Sequence, residues 1–186
     1  MIKKILRNWH RYVLWALISV MLWAWILLLA TKAPKSQMIQ IFADLSDMKA
    51  DALEIALERE KPQGVKYVQA SLIDNLIVNT SEILEGDLYL VPESRVENYL
   101  ASFSPIDRTM FPGASFYESD GVAYGLLVYD DEADFAVGWK LVRYIPGQRC
   151  WLFFNKDSVH LGDWNGSPDD AAITIARNFL QLTQGE

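Results

Sequence analysis

One uninterrupted hydrophobic segment near the N-terminus constrains this chain more than any other feature. Residues 13–30 are 18 consecutive positions without a charged side chain, and Ser19 is the only polar one among them. As an α-helix the segment is about 27 Å long, close to the thickness of the hydrocarbon core of a bilayer. The sequence therefore predicts a transmembrane helix over residues 13–30.

A cleaved secretory signal is the alternative interpretation of this segment. Signal peptides have a shorter apolar region, of about 7–15 residues, which is followed by small residues at the cleavage site. Here Thr31-Lys32-Ala33 matches such a site poorly, and Pro34 follows directly. No cysteine stands next to the segment, which excludes a lipoprotein anchor. We therefore expect the segment to be an uncleaved anchor that contacts membrane lipid.

The flanking charges predict the orientation of this anchor. Four basic residues precede the segment, whereas only Lys32 and Lys35 follow it closely. Because basic flanks stay in the cytoplasm, we expect the N-terminus inside and residues 31–186 outside the cell membrane. The predicted organisation is a cytoplasmic flank over 1–12, the span over 13–30, a stalk over 31–37 and an extracytoplasmic domain over 38–186.

The outer part of the chain is strongly acidic. Beyond residue 30 it has 13 basic and 24 acidic residues, a formal net charge of −11. Phosphate contacts need lysine and arginine, so this charge disfavours nucleic acid and other polyanions as partners. The single cysteine, Cys150, excludes an intramolecular disulfide, and its apolar neighbours predict a small buried side chain rather than a reactive thiol.

Hydrophobic patterns in the outer domain predict an α/β fold. An apolar run at 38–43 indicates a buried strand, residues 48–60 have the one-sided pattern of an amphipathic helix, and 65–72 read as a second strand. Such strand–helix–strand units most often form a parallel pair with a right-handed crossover. We therefore expect a parallel pair at the start of the domain.

The remaining patterns extend this α/β prediction. We expect a strand at 87–91, a helix at 93–103 and a long loop at 104–118, followed by an antiparallel meander of strands at 121–129, 139–145 and 149–154. Residues 73–79 are ambiguous, and 80–85 fit one helical turn. A last helix is predicted with Ser167 as its cap and Pro168 at its first position. The whole is a mixed sheet of four to six strands with three main helices.

Residues that suit catalysis or metal binding are few. Ser158 and His160 have Asp157 and Asp163 as neighbours, so a hydrolytic triad can be drawn, but adjacency in sequence is not the geometry that a triad requires. Asp157, His160 and Asp163 lack a recognised metal-ligand spacing. The acidic run at Asp130–Asp134 has no ordered calcium-loop pattern, and a solvated turn is favoured. We expect no cofactor, no metal and no enzymatic activity.

Three short motifs resemble the extracellular solute-binding proteins of ABC importers. Residues 38–57 resemble their opening strand and helix, and Gly86–Ser94 is similar to their segment in which an acidic residue opens a strand that ends at the cleft. Asp120-Gly121-Val122-Ala123-Tyr124-Gly125 is similar to the "DGKxYGxP" strand of that family, with leucines in place of the proline. Residues from Asn155 onward resemble the family's return into its first lobe.

The length of the chain departs from that family. Solute-binding proteins are about twice as long, because a second lobe is inserted where this chain has only some thirty residues, 124–155. The resemblance therefore implies a single lobe, which cannot close over a ligand. The residues that match cleft positions are Asp44, Leu45, Ser46, Glu93, Ser94 and Tyr124, although Ser46 and Glu93 also suit helix starts.

Three classes of function remain open on the sequence. The first is a membrane-tethered, non-catalytic binding or interaction module, which docks on a membrane partner or senses a small molecule weakly. The second is an accessory subunit of a membrane transport system, in which the tryptophan-rich anchor packs against a membrane-protein partner. The third is a hydrolase of unknown type that uses Ser158 and His160. We expect the first of these.

Overall fold

The chain consists of two units. A computed structural model describes residues 9–31, 35–73, 86–161 and 170–182. The units are Met1–Pro34 and Lys35–Glu186. In the first, helix α1 spans Trp9–Thr31. Its stretch Trp9–Leu27 has a mean hydropathy of 1.4 and is not buried, so α1 is long and apolar enough to cross a membrane, as a signal sequence also is.

The second unit is built on a mixed β-sheet, which confirms the predicted α/β class. The strands are β1 (Met38–Ala43), β2 (Asp47–Met48), β3 (Tyr67–Leu72), β4 (Leu88–Pro92), β5 (Phe116–Ser119), β6 (Val122–Asp130), β7 (Phe135–Ala136), β8 (Val142–Arg143) and β9 (Cys150–Phe154). Seven of them form one sheet in the order β3-β1-β4-β9-β6-β5, with β7 also paired to β6. The predicted four to six strands were too few, because β5 and β7 were not expected.

The first part of the sheet is parallel, as predicted. β1 pairs in parallel with β3 and with β4, whereas β4, β9, β6 and β5 form successive antiparallel pairs. Helix α2 (Ala50–Glu58) connects β1 to β3 and buries Leu53 and Leu57. It begins two residues later than predicted, because Met48 belongs to β2, which pairs with β8 in a separate two-stranded sheet.

The predicted loop at 104–118 is wrong at its end. Phe116–Ser119 form β5, which pairs with β6 across the two residues Asp120 and Gly121. These residues have φ angles of 52° and 79°. Two successive positive φ angles are typical of a type I′ hairpin turn, for which Asp-Gly is a favoured sequence. The dipeptide was therefore a signal for the hairpin that the sequence analysis missed.

The predicted strand at 139–145 is largely wrong as well. The backbone N–H groups of Leu141 and Val142 donate to the carbonyl of Gly138, at 2.8 and 2.9 Å, so the chain turns here. Gly138 has a φ of 57°, which favours glycine. Only Val142–Arg143 is extended, as β8.

The helices after β4 also differ from the prediction. The helix expected at 93–103 is broken into a 3₁₀ turn at Glu93–Arg95, helix α3 at Val96–Tyr99 and a 3₁₀ turn at Leu100–Ser102. The last helix, α4 (Ala171–Gln181), begins after Asp170, which is its N-cap. The expected cap Ser167, Pro168 and the helical turn at 80–85 lie outside the described residues.

Two apolar layers cover the sheet. The larger layer lies between one face of the sheet and helices α2 and α4, which bury Leu53 and Phe179 there. The other face has a smaller, aromatic layer, in which the Phe103 ring stacks on Phe153 with 4.2 Å between their centroids. Gly125 leaves room for this layer, since a Cβ atom at that position would lie 2.6 Å from the Phe153 ring.

Side chains of α2 close the outer edge of β3. The backbone N–H groups of Val68 and Ala70 donate to the carboxylates of Glu58 and Glu54, at 3.3 and 2.8 Å. Unpaired N–H groups on an edge strand invite pairing with another chain. These two glutamates therefore disfavour the addition of a partner strand at β3.

Candidate functional site

The residues predicted to bind a ligand lie at two places. Asp44 follows β1, and Glu93 and Ser94 follow β4. Because β1 and β4 are parallel, these residues lie at one edge of the sheet, the carboxyl edge. Tyr124 is the third residue of β6, which reaches the same edge only at Asp130. At about 3.3 Å per residue, Tyr124 is about 20 Å from the carboxyl edge along the strand, so the structure does not bring it together with the others.

At the carboxyl edge the predicted side chains contact other parts of the domain. Asp44 is buried and forms an ion pair with Arg95. Ser46 Oγ donates to the carbonyl of Arg143 at 2.9 Å, and Ser94 Oγ donates to Gln148 Oε1 at 2.7 Å. Leu45 is buried in the larger apolar layer. These contacts hold loops to the sheet.

The acidic run at Asp130–Asp134 forms a cross-linked turn at the same edge. Arg149 Nε donates to Asp130 Oδ2 at 2.9 Å, and this hydrogen bond raises the pKa of Arg149. Gly147 N–H donates to Asp131 Oδ2 at 3.0 Å. Asp131 also accepts a hydrogen bond from the Tyr129 hydroxyl at 2.8 Å, which raises the pKa of that tyrosine.

The turn lines a polar cavity of about 520 Å³ that also includes Glu93, Ser94 and Gln148. Carboxylate oxygens of Asp130 and Asp131 bond to Arg149, to Tyr129 and to backbone N–H groups. Within the described ranges, no group of three or more His, Cys, Asp or Glu residues is placed to hold a metal ion. The cavity is therefore lined by a polar turn whose Asp130 and Asp131 carboxylates are cross-linked to neighbouring groups.

Ser158 and His160 belong to a buried cluster at the opposite end of the sheet, the amino edge. Ser158 Oγ donates to the carboxylate of Asp87, the residue before β4. The His160 backbone N–H donates to Ser158 Oγ at 3.1 Å, and His160 Nε2 lies 2.9 Å from the carbonyl of Met38. In a hydrolytic triad the serine hydroxyl instead donates to the histidine ring. The observed geometry is not that of a triad.

Asp87 was not among the predicted site residues, although its carboxylate joins the residues of this amino-edge cluster. Its carboxylate also accepts the N–H of Gln40 at 2.8 Å. Burial raises the pKa of Asp87, opposed by the hydrogen bonds from Ser158 and Gln40 and by the nearby His160. Asn155 supports the same region by donating to the carbonyl of Gly86 at 2.7 Å. Asp163, the other acid considered with this cluster, lies outside the described residues.

A larger cavity lies beside the last helix, and we call it the α4 cavity. Its volume is about 950 Å³. Ligand sites of small molecules commonly have volumes of about 300–1,000 Å³ and mainly apolar walls. The lining residues are Thr109, Met110, Phe111, Pro112, Gly113, Ala114, Ser115, Leu127, Ala133, Phe135, Arg177, Leu180 and Gln181.

Arg177 is the one basic residue in the described part of this lining. Its Nη2 donates to the carbonyl of Met110 at 3.1 Å, and its guanidinium lies 5.7 Å from the centroid of the Phe111 ring. Among the described residues that line the cavity, none is an aspartate or glutamate. The α4 cavity therefore combines an apolar body with one cation on its wall.

A third hollow lies beside β8. It has a volume of about 470 Å³ and is lined in part by Trp139, Lys140 and Arg143. The Trp139 side chain is 66% exposed, with Lys140 Nζ 5.5 Å from its ring centroid. An exposed tryptophan beside cations is a feature of surfaces that meet a partner or a membrane interface.

Comparison of the chain with protein-family models, with curated proteins and with solved structures finds no match. The similarity to solute-binding proteins therefore stays a prediction from short motifs, and so do the ligand residues that it implies. What the chain does must be inferred from the geometry of its own residues.

Proposed function

We propose that this protein is a membrane-tethered, extracytoplasmic module that binds a small molecule without transforming it. The observation that carries the proposal is the α4 cavity, which has the volume and the apolar lining of a small-molecule site. Helix α1 supplies the tether, and the basic residues before it favour a cytoplasmic N-terminus.

The state of the reactive side chains supports a non-catalytic role. The Ser158 hydroxyl donates its hydrogen bond to the Asp87 carboxylate rather than to the His160 ring, and that ring contacts the carbonyl of Met38. Burial raises the pKa of the Cys150 thiol, so the reactive thiolate is disfavoured there. Each of these groups stabilises the fold in its present position, which leaves binding as the function that the geometry favours.

We also propose that the module is related to one lobe of a solute-binding protein. A single lobe related to solute-binding proteins would have lost the partner lobe that encloses their ligands, and its ligand would be held weakly. A tether compensates for weak binding by keeping the module at the membrane surface. The α4 cavity lies away from the cleft positions that the resemblance implies, so its ligand is not predicted by that resemblance.

The tether can be tested by expressing the full chain in bacterial cells. We expect it to stay with the membrane after carbonate extraction and to lose residues 31–186 when protease is added to spheroplasts. Mass spectrometry of the purified protein should find the original N-terminus. A mature N-terminus near residue 34 would show instead that α1 is a cleaved signal sequence and that the protein has no tether.

An accessory subunit of a membrane transport system is the second candidate, favoured by the exposure of Trp139. If this face meets a membrane-protein partner, a Trp139→Ala variant should lose chemical cross-links to a co-expressed permease. An Ala133→Trp variant, changed at the α4 cavity instead, should keep those cross-links. Equal cross-linking in both variants would remove the support for this candidate.

A further inference from the structure

The strand order of the sheet runs from β3 on one side to β5 on the other. Glu54 and Glu58 accept hydrogen bonds from outward N–H groups of β3, and no such contact covers β5 among the described residues. We infer that the outer side of β5 pairs with β5 of a second copy of this chain, as a two-fold antiparallel dimer. The inference goes beyond the proposed binding function and uses only its tether.

The backbone groups of β5 alternate between those that face β6 and those that face outward. The Leu127 N–H donates to the carbonyl of Ser115 at 2.9 Å, so the backbone of Ser115 faces β6. Successive residues of an antiparallel pair alternate in this respect. The N–H and C=O groups of Phe116 and Glu118 therefore lie on the outer side of β5.

A bulge lies beside β5, but its extra residue belongs to β6. Tyr117 pairs with Gly125 and Glu118 pairs with Ala123, so the extra residue is Tyr124. In a β-bulge the strand that carries the extra residue bends, and one residue of its partner opposes two. The alternation along β5 is therefore not interrupted.

The outward groups of β5 are open to a further strand. Those of Phe116 and Glu118 have no hydrogen-bond partner among the residues that the structure describes. No residue of β5 is buried, whereas all residues of β4 and β9 are. Because unpaired N–H and C=O groups on an edge strand are a template for pairing, β5 is the place where another strand can join the sheet.

An antiparallel copy of β5 has the spacing that these outward groups need. When the two-fold axis passes through the Tyr117 pair, Phe116 of each copy lies opposite Glu118 of the other, and each such pair exchanges both N–H···O bonds. The two Glu118 side chains are then not directly opposite each other, and each already pairs with Arg108 at 2.7 Å. The register therefore avoids the like-charge pairs that destabilise a sheet.

The side chain of Tyr117 favours a copy over an unrelated strand. Its ring is half-buried at the end of the aromatic layer, with its centroid 5.6 Å from that of Trp151 and 5.7 Å from that of Phe153. In the two-fold register the two Tyr117 residues form a non-hydrogen-bonded pair with Cα atoms about 4.5 Å apart. Aromatic cross-strand pairs stabilise a sheet, and this pair would join the two aromatic layers.

The tether and the net charge determine how strongly the copies associate. β5 has only four residues, so the paired strands alone form a smaller contact than a stable soluble dimer, which buries about 1,000 Å² or more. Two copies anchored in one membrane have a raised effective concentration, so a weak contact suffices. Beyond residue 30 each copy has a formal net charge of −11, and the dimer should therefore strengthen as salt screens this repulsion.

Disulfide cross-linking of the full chain in cell membranes tests the register. Tyr117→Cys should give a disulfide-linked dimer on mild oxidation, because the two Cα atoms come within bridging distance. Glu118→Cys is the matched control, since its copy lies beyond the bridging limit of about 7 Å, and we expect at least tenfold less dimer. The native Cys150 is buried, so the wild type is the blank. The yield for Tyr117→Cys should rise with salt.

Hydrogen exchange on the wild type tests the same contact without a substitution. In lipid vesicles, a higher density of the full chain should slow exchange in the peptide that contains residues 115–119, because the outward N–H groups become bonded. The peptide over Tyr67–Leu72 is the control, since its N–H groups are bonded within one copy, and it should exchange equally at both densities. If Tyr117→Cys does not fold, this measurement decides.

The outcomes separate this inference from the proposed function. Equal cross-linking at positions 117 and 118, or at neither, would overturn the two-fold pairing. Exchange at 115–119 that slows only when another membrane protein is co-expressed would assign this side of β5 to a partner strand instead. A chain that stays in the membrane without cross-linking keeps the tether and loses the dimer, and a chain cleaved near residue 34 that still cross-links at 117 keeps the dimer and loses the tether.

Discussion

The polar clusters at the two edges of the sheet and the α4 cavity differ in what their side chains contact. At the carboxyl edge Asp44 pairs with Arg95 and Asp130 pairs with Arg149, and at the amino edge Asp87 accepts from Ser158. The residues that the structure describes around the α4 cavity include no carboxylate. These carboxylates, which suggest chemistry in the sequence, thus contact neighbouring groups of the fold, whereas the α4 cavity has the volume and the mainly apolar lining on which the proposed binding function rests.

The largest effect is expected at the amino edge. Replacement Asp87→Ala should lower the free energy of unfolding by about 3 kcal/mol, because it leaves the buried N–H of Gln40 and the hydroxyl of Ser158 without their acceptor. Chemical denaturation followed by circular dichroism measures this loss. Binding of 4-phenylbutanoate at the α4 cavity should be unchanged in the fraction that folds.

Two variants control for this effect. Ser158→Ala should cost about 2 kcal/mol, since it removes the hydrogen bond to Asp87 and the one accepted from the His160 N–H. Asp157→Ala, at an exposed position beside the cluster, should stay within about 0.5 kcal/mol of the wild type. A stable Asp87→Ala variant that has lost a hydrolytic activity would instead assign this cluster to catalysis.

A smaller effect is expected at the carboxyl edge. Arg95→Ala leaves the buried carboxylate of Asp44 without its ion-pair partner, and we expect a loss of about 2 kcal/mol. The loss is below that of a fully buried pair because the Arg95 side chain is 47% exposed and screened by water.

Arg143→Ala is the matched control for this edge. Its side chain is exposed beside the same loops, and we expect a change within about 0.5 kcal/mol. Neither variant should alter the affinity for 4-phenylbutanoate. Tighter or weaker ligand binding in Arg95→Ala at unchanged stability would move the binding site to the carboxyl edge.

The free energy of unfolding should depend on pH through the titration of Asp87. Burial raises its pKa in the folded protein above the ordinary value of 3.8, so the folded state binds more protons at this residue than the unfolded state. The contribution of Asp87 to stability is therefore fully present below pH 3.8 and is lost as the pH rises through the raised pKa. The stability of the wild type relative to Asp87→Asn should fall over this window in denaturation measurements. A relative stability that rises with pH would contradict the raised pKa.

The sequence predicts local elements of this fold better than their assembly. The strands of the β1–α2–β3 unit and their parallel pairing follow from short apolar runs around an amphipathic helix. The hairpin at Asp120-Gly121 was not predicted but could have been, because that dipeptide favours the turn. The strand predicted at 139–145 failed, since a turn at Gly138 overrides the strand propensity of its apolar residues.

The candidate site was not predictable in the same way. Asp87 and Ser158 are 71 residues apart, and the lining of the α4 cavity comes from segments between Thr109 and Gln181. Such proximity is set by tertiary packing and not by local pattern. The residue types in this lining are also ordinary for a core, so no motif marks Arg177 or Leu127 in advance.

The most direct test of the α4 cavity as the binding site is to locate a bound small molecule on the full chain. Light-activated cross-linking with 4-benzoylbenzoate, followed by peptide mass spectrometry, reports where an aromatic carboxylate lies. The α4 cavity predicts labelled peptides that contain residues 109–115 or 177–181, with less labelling in Ala133→Trp. Labels concentrated at residues 93–95, 130–132 or 147–149 would place the ligand at the carboxyl edge and contradict the account.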